Sequence, residues 1–195
     1  PDLLKRFPGR RYLPAAAVIV LLAFTFATKA ALPHWKDSEA VFQHALNVTI
    51  NNHIAEMGMG NVWFGRGDLP KARSLYLESL RIKPDYAEAH NNLALVLMQE
   101  GKSDEAAVHY RAAFTYDPTF EKAYNNLGVL LAREGKLAEA KACFLRVLEL
   151  KPHHTEAKGN LAGVLKEEGR GSDAVLLHTV ERRDVPQKVL DRKWD

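Results

Sequence analysis

The chain has 195 residues, 47% of them hydrophobic and 26% charged, which is enough for one or two ordinary globular domains. Its net charge of +3 lies entirely within residues 1–12, beside an apolar segment, so the charge disfavours nucleic acid as a partner and points to membrane topology. The single cysteine, Cys143, excludes an intrachain disulfide and a multi-cysteine zinc site.

The first predicted element is an apolar segment that begins at Leu13. Residues 13–32 contain one charge, Lys29, close to the end of the segment. A helix of this length spans roughly 30 Å, the thickness of a bilayer core, and Trp35 suits the interface beyond it. A cleaved signal peptide is disfavoured because Ala27, Thr28 and Lys29 form a poor cleavage site. We therefore expect a transmembrane helix at residues 13–34 in contact with the lipid bilayer.

Basic residues set the expected orientation of this helix. Four of them lie within residues 5–11, before the apolar segment, whereas Lys29 and Lys36 lie at its other end. The positive-inside rule then makes residues 1–12 a basic cytoplasmic segment. It places everything after Trp35 on the periplasmic, lumenal or extracellular side. Asn47 begins a glycosylation sequon, which has meaning only if that side is a lumen with the right enzyme.

The strongest signal in the sequence is a period of 34 residues. Three columns hold one residue type at four successive positions: Pro84, Pro118, Pro152 and Pro186; Gly67, Gly101, Gly135 and Gly169; Ala72, Ala106, Ala140 and Ala174. Small residues recur in a fourth column, at Gly60, Ala94, Gly128 and Ala162. Small residues allow two helices to approach closely, the glycines suit helix ends, and each proline ends a second helix.

This pattern resembles the tetratricopeptide repeat family, whose unit is a helix–turn–helix of 34 residues. The resemblance implies an all-α fold: one transmembrane helix, then a right-handed superhelix of about four helix pairs with a leading half repeat. The expected segments are the half repeat at 35–52, units at 53–86, 87–120, 121–154 and 155–186, and a polar tail at 187–195. The last unit is expected to cap the array, because His178, Glu181 and Arg182 replace packing residues.

Catalytic and metal-binding motifs were sought along the whole chain. No HExxH, paired CxxC, GxxxxGK[ST], GxSxG or GxGxxG pattern occurs. His153 and His154 read as a solvated turn, and Cys143 reads as a small packing residue. The sequence therefore predicts that this chain has no catalytic residue, no metal site and no cofactor.

Asparagines form a further column on the predicted first helices, which line the concave surface of such an array. The column contains Asn92, Asn126 and Asn160, and Asn91 and Asn125 precede two of them. Amides offer a donor and an acceptor to a peptide backbone. The column resembles the asparagine ladder of O-linked N-acetylglucosamine transferases, which implies a peptide-binding groove. The alternative is that these side chains only bond the neighbouring helix.

Charged residues on the same helices bear on which ligand is expected. Lys122, Arg133 and Lys166 are predicted to add charge selectivity to the groove, and Glu88, Glu156 and Glu167 are predicted to offset them. Chaperone-binding members of the family grip a terminal carboxylate with basic residues, and the comparable positions here hold Met57, Asn91 and Asn125. That clamp is absent, so a chaperone-tail ligand is disfavoured.

Two functions remain open. The first is a membrane-anchored scaffold that binds a protein or peptide, as a subunit of a membrane complex. The alternative is the acceptor-binding tail of a polytopic membrane glycosyltransferase, with the catalytic part absent from this chain. The apolar helix and the junction that follows it resemble membrane O-mannosyltransferases with repeat domains. A homo-oligomer is a third hypothesis, because Ala23 and Ala27 form a small-residue face on the predicted membrane helix.

Overall fold

A computed structural model describes residues 37–169 of the chain. The chain divides into two compact units between Ile50 and Asn51. In the first unit the structure describes one helix, α1 (Ser38–Val48), which Asp37 caps by accepting a hydrogen bond from the Ala40 amide at 2.9 Å. The predicted segments at 1–12 and 13–34, the second helix of the last unit and the tail at 187–195 lie outside the described residues. None of the helices within residues 37–169 has the length and apolarity needed to cross a bilayer.

The second unit contains seven described helices that alternate between first and second members of pairs. They are α2 (His53–Gly65), α3 (Leu69–Ile82), α4 (Ala87–Gln99), α5 (Ser103–Tyr116), α6 (Glu121–Arg133), α7 (Leu137–Leu150) and α8 (Thr155–Glu167). Residues 37–169 contain no strand. The all-α prediction is therefore confirmed for the part of the chain that the structure describes.

The helix ends follow from the repeated glycines and prolines. Gly101 and Gly135 follow the first helices with φ angles of +76° and +75°, a conformation that residues with a Cβ rarely adopt. Each second helix stops two residues before a proline. Asp117, which precedes Pro118, has left the helical region with φ −130° and ψ 94°, as the proline ring requires of its neighbour.

The small-residue column brings the two helices of a pair together. A Cβ at Gly60 would lie 2.5 Å from Cε1 of Tyr76, and one at Gly128 would lie 2.6 Å from Cε1 of Phe144. Both rings are almost fully buried, so neither can move aside. Glycine at these two positions is thus a packing requirement.

Successive pairs are joined by apolar packing and by ion pairs between units. Each second helix packs against the first helix of the next unit, as α3 does on α4, α5 on α6 and α7 on α8. The Lys141 ammonium lies 2.7 Å from the Glu168 carboxylate, and Arg73 lies 3.3 Å from Glu100. Lys141 is only 5% exposed, so its pair with Glu168 belongs to the core.

Candidate functional site: a polar face along the first helices

One face of the first helices remains accessible along three consecutive units. Residues spaced by four, three and four positions lie on one side of a helix. We call the three resulting sets the exposed rows; their asparagines, Glu88, Leu95 and Val129 are partly exposed, and the other members are exposed. The rows are Glu88, Asn92, Leu95 and Gln99 on α4; Lys122, Asn126, Val129 and Arg133 on α6; Glu156, Asn160, Gly163 and Glu167 on α8.

The asparagines of these rows bond to the preceding first helix. Nδ2 of Asn126 donates to Oδ1 of Asn91 at 2.9 Å, and Nδ2 of Asn160 donates to Oδ1 of Asn125 at 3.3 Å. Both bonds run in the same direction, from the later unit to the earlier one. The column therefore fixes the orientation of each exposed amide.

The repeat unit at residues 53–86 continues the same network with different residues. Nδ2 of Asn92 donates to Oδ1 of Asn61 at 2.9 Å, and the Tyr76 hydroxyl donates to the same oxygen at 2.7 Å. Burial raises the pKa of Tyr76, which keeps the hydroxyl protonated as a donor. The Met57 sulfur accepts from Nδ2 of Asn61 at 3.1 Å, where the later units have Asn91 and Asn125.

The exposed amides keep hydrogen-bonding capacity after these bonds are made. A primary amide carries two hydrogens and an oxygen with two lone pairs. Asn126 and Asn160 each use one hydrogen, and within residues 37–169 neither oxygen accepts a hydrogen bond. Each of these side chains therefore presents a donor and an acceptor in a fixed orientation.

Two of the predicted site residues lie beneath this surface. Asn91 and Asn125 are 3% and 4% exposed. Asn91 donates to Oδ1 of Asn92 at 3.1 Å, and Asn125 donates to Oε1 of Glu156 at 3.0 Å. Asn91 and Asn125 would contribute to a groove by holding their bonded partners, Asn92 and Glu156, in position. The asparagines therefore do bond the neighbouring helix, as the alternative interpretation of the sequence expected. Because these bonds leave the outer amides available, peptide binding stays a prediction.

Two of the predicted cations stand at the two ends of the α6 row. Lys122 and Arg133 are exposed, and neither has an ion pair within the described residues. The sequence did not predict the hydrogen bonds that join two further residues, Glu156 and Asn61, to this face. Glu156 accepts from Asn125 at 3.0 Å, and Asn61 accepts from the Tyr76 hydroxyl at 2.7 Å.

Outside the exposed rows, residues 37–169 show neither an activated thiol nor a cluster of metal ligands. Burial raises the pKa of the Cys143 thiol to about 11, so the thiolate is scarce. Within residues 37–169 no three ligating side chains cluster in a way that would hold a metal ion. The ring of His154 accepts from the Ala157 amide at 3.1 Å and caps α8.

One histidine pair lies in the second unit. Nδ1 of His90 is 2.9 Å from Nδ1 of His109, and Nε2 of His90 is 2.9 Å from the carbonyl oxygen of Pro84. A carbonyl only accepts, so Nε2 of His90 carries a hydrogen and His109 donates through Nδ1 in the neutral pair. Burial and His90 lower the pKa of His109.

Family models match the repeats that the periodicity defines. A TPR repeat model matches residues 60–101 and 95–135, and a tetratricopeptide repeat model matches residues 121–154. No curated protein sequence matches the chain.

Solved structures of similar fold support the same assignment. The first TPR of Spaghetti (RPAP3), bound to HSP90 peptide SRMEEVD, is 25% identical with a TM-score of 0.59, over 64% of this chain and 98% of that chain. The second TPR domain of human RPAP3, in complex with HSP70 peptide SGPTIEEVD, is 28% identical with a TM-score of 0.54, over 57% and 93%. Pseudomonas aeruginosa pilF is 26% identical with a TM-score of 0.61, over 65% and 58%. Residues 60–154 therefore match tetratricopeptide repeats, and the paired helices of the described residues form a TPR-like array.

Proposed function

We propose that the repeat array is a protein-binding module that holds an extended peptide segment of its partner across the exposed rows. The observation that carries this proposal is the state of Asn126 and Asn160. Each amide is held by a bond to the preceding helix, and within residues 37–169 each retains an oxygen and a hydrogen without a hydrogen-bond partner. The module performs no reaction in this proposal, and it uses no cofactor.

The chemistry of the face suits a peptide backbone. An extended chain presents N–H and C=O groups at regular intervals, which amide side chains can pair without reading a side-chain sequence. The rotamers of Asn126 and Asn160 are already fixed, so binding them orders little that was free before. Leu95 and Val129 supply apolar contact beside the amides. Two similar TPR structures hold peptides, which supports a peptide as the ligand.

Site-specific photo-crosslinking in the source cells tests this proposal. A photoreactive amino acid at Gln99, at the end of the α4 row, is compared with the same residue at Val108. Val108 lies on the second helix α5 and is 63% exposed, so its accessibility is a matched control. We expect a partner adduct from position 99 and none from 108. Equal adducts at both positions, or an adduct from 108 alone, would contradict binding on the first helices.

We also propose that this module is tethered to a membrane by residues 13–34. This part rests on the sequence of that segment, which lies outside the described residues. The alternative, an acceptor-binding tail of a membrane glycosyltransferase, rests on the sequence of residues 13–46. The intact mass of the protein purified from its own membranes discriminates between the two. A mass near 21.9 kDa favours the single-span scaffold, and a mass several-fold larger favours the enzyme tail.

A further inference from the structure

Each exposed row carries charges of a single sign. The α6 row carries only positive charges, at Lys122 and Arg133. The α8 row carries only negative charges, at Glu156 and Glu167, and the α4 row has one negative charge, at Glu88. The three rows therefore alternate in sign as negative, positive, negative.

The lysine that would cancel the α8 row lies on another side of that helix. Lys166 precedes Glu167 by one residue, which rotates it by about 100° around the axis. It shares a side of α8 with Gly159, seven residues earlier, which occupies the repeat position of Asn125. Asn125 bonds forward to α8, so this side of a first helix faces the unit that follows it. Lys166 thus lies on the side of α8 that points away from α6.

The fold does not use most of these charges. Glu121, immediately before Lys122, pairs with Lys151, whereas Lys122 itself points into solvent without an ion pair among the described residues. Arg133 and Glu167 are likewise exposed and unpaired there. Glu156 accepts one hydrogen bond, from the Asn125 amide, and makes no ion pair within the described residues. Glu88 likewise accepts one hydrogen bond, from the Tyr86 hydroxyl at 3.2 Å. Charges that make no ion pair within residues 37–169 are available to a ligand.

We infer that the partner segment carries a basic, an acidic and a basic side chain in that order, spaced by about three residues. This inference rests on the proposed function. Successive first helices are near enough for Asn126 on α6 to bond Asn91 on α4, and adjacent helices lie about 8–10 Å apart. An extended chain advances about 3.3 Å per residue, so it passes from one row to the next in about three residues. The pattern is the same in both directions, so it holds for either orientation of the bound chain.

Two blocked peptides that differ at one residue test the charge order. The first is Lys-Ser-Val-Glu-Ser-Val-Lys and the second is Lys-Ser-Val-Lys-Ser-Val-Lys. Both have acetylated and amidated ends, so no terminal charge contributes. Exposed ion pairs are individually weak, so we expect the full chain to bind the first peptide about tenfold tighter at low salt. The ratio should fall as salt screens the charges.

Charge-reversal variants locate the preference on the α6 row. Lys122→Glu with Arg133→Glu should invert the ratio, so that the second peptide binds tighter. Lys158→Glu with Lys166→Glu makes the same change in net charge on α8 outside its row, and should keep the original preference. Far-UV circular dichroism of each variant checks that the helices remain folded.

The outcomes separate this inference from the proposed function. Equal affinity of the two peptides for the native chain, with binding intact, would overturn the charge order and leave peptide binding standing. An inversion in the Lys158 and Lys166 variant as well would overturn the assignment to the α6 row. Failure of both peptides to bind would overturn the inference and the proposed function together.

Discussion

Alanine at Gly128 should destabilise the third helix pair, whereas alanine at Gly163 should stabilise α8. A Cβ at Gly128 would lie 2.6 Å from Cε1 and 2.9 Å from Cζ of Phe144. The ring is 1% exposed and packed on every side. At Gly163 nothing lies within 4 Å of the added carbon. The two variants therefore make the same chemical change in helices with opposite surroundings.

The expected magnitudes follow from two opposing effects. Replacing glycine by alanine inside a helix gains about 1 kcal/mol. Overpacking a close-packed core costs about 1–3 kcal/mol. Gly163→Ala receives only the gain. Gly128→Ala receives both effects, so the two free energies of unfolding should differ by about 1–3 kcal/mol, with Gly128→Ala the less stable variant.

Urea unfolding followed by far-UV circular dichroism measures this difference. The double variant Gly128→Ala with Phe144→Leu adds a direct test of cause, because leucine removes the ring that the new carbon would strike. We expect the double variant to be more stable than the sum of the two single changes predicts. If Gly128→Ala is as stable as Gly163→Ala, or if the double variant is additive, the packing account of the glycine column is wrong.

Four further changes have defined outcomes. Gly101→Ala should lower the free energy of unfolding by about 1–2 kcal/mol in the same assay, because its φ of +76° disfavours a side chain. Lys141→Met should cost about 1–3 kcal/mol, because it removes the ammonium that lies 2.7 Å from the half-buried Glu168 carboxylate; an equal loss in Lys141→Arg would show that the charge is not the cause. Cys143 should react with a disulfide reagent about 100-fold more slowly in the native chain than in urea, because burial raises its pKa from 9.0 to about 11; equal rates would contradict this. Acidification below about pH 6.5 should reduce stability, because the lowered pKa of His109 lets the unfolded chain bind the proton first; His109→Gln should flatten the pH dependence, and an unchanged slope would refute it.

The repeat and its helix boundaries were readable from the sequence because each column has a local cause. The glycines end first helices at positive φ, and each proline forces its predecessor out of the helical region, so period and bounds follow from short-range sterics. The closeness of Gly128 to Phe144 follows in the same way, from a small residue facing a large one across a pair.

Apart from the hydrogen bonds of the asparagine column, bonds between units were not readable from the sequence, because they join residues distant in the chain that only the folded array brings together. The pair of Lys141 with Glu168 links side chains 27 residues apart. Glutamate recurs at the 34-residue spacing in Glu100, Glu134 and Glu168, but the position of Lys141 holds Ala107 one unit earlier, so the periodicity does not mark the pair. In the repeat unit at residues 53–86, Gly58 interrupts the asparagine column. Asn61, one turn later on α2, accepts the hydrogen bond from Asn92 instead. Asn91 is buried whereas Asn92 is partly exposed, and this difference likewise depends on how α4 contacts α6.

The central claim is that a peptide binds the outer amides of the first helices. The most direct measurement is a nitrogen–proton correlation spectrum of the side-chain amides as Lys-Ser-Val-Glu-Ser-Val-Lys is added. We predict that the resonances of Asn126 and Asn160 shift and saturate together, while that of exposed Asn51, which lies outside the rows, stays still. Still resonances at Asn126 and Asn160, with shifts confined to backbone amides of α5 and α7, would show that the ligand binds the second helices and would contradict the account.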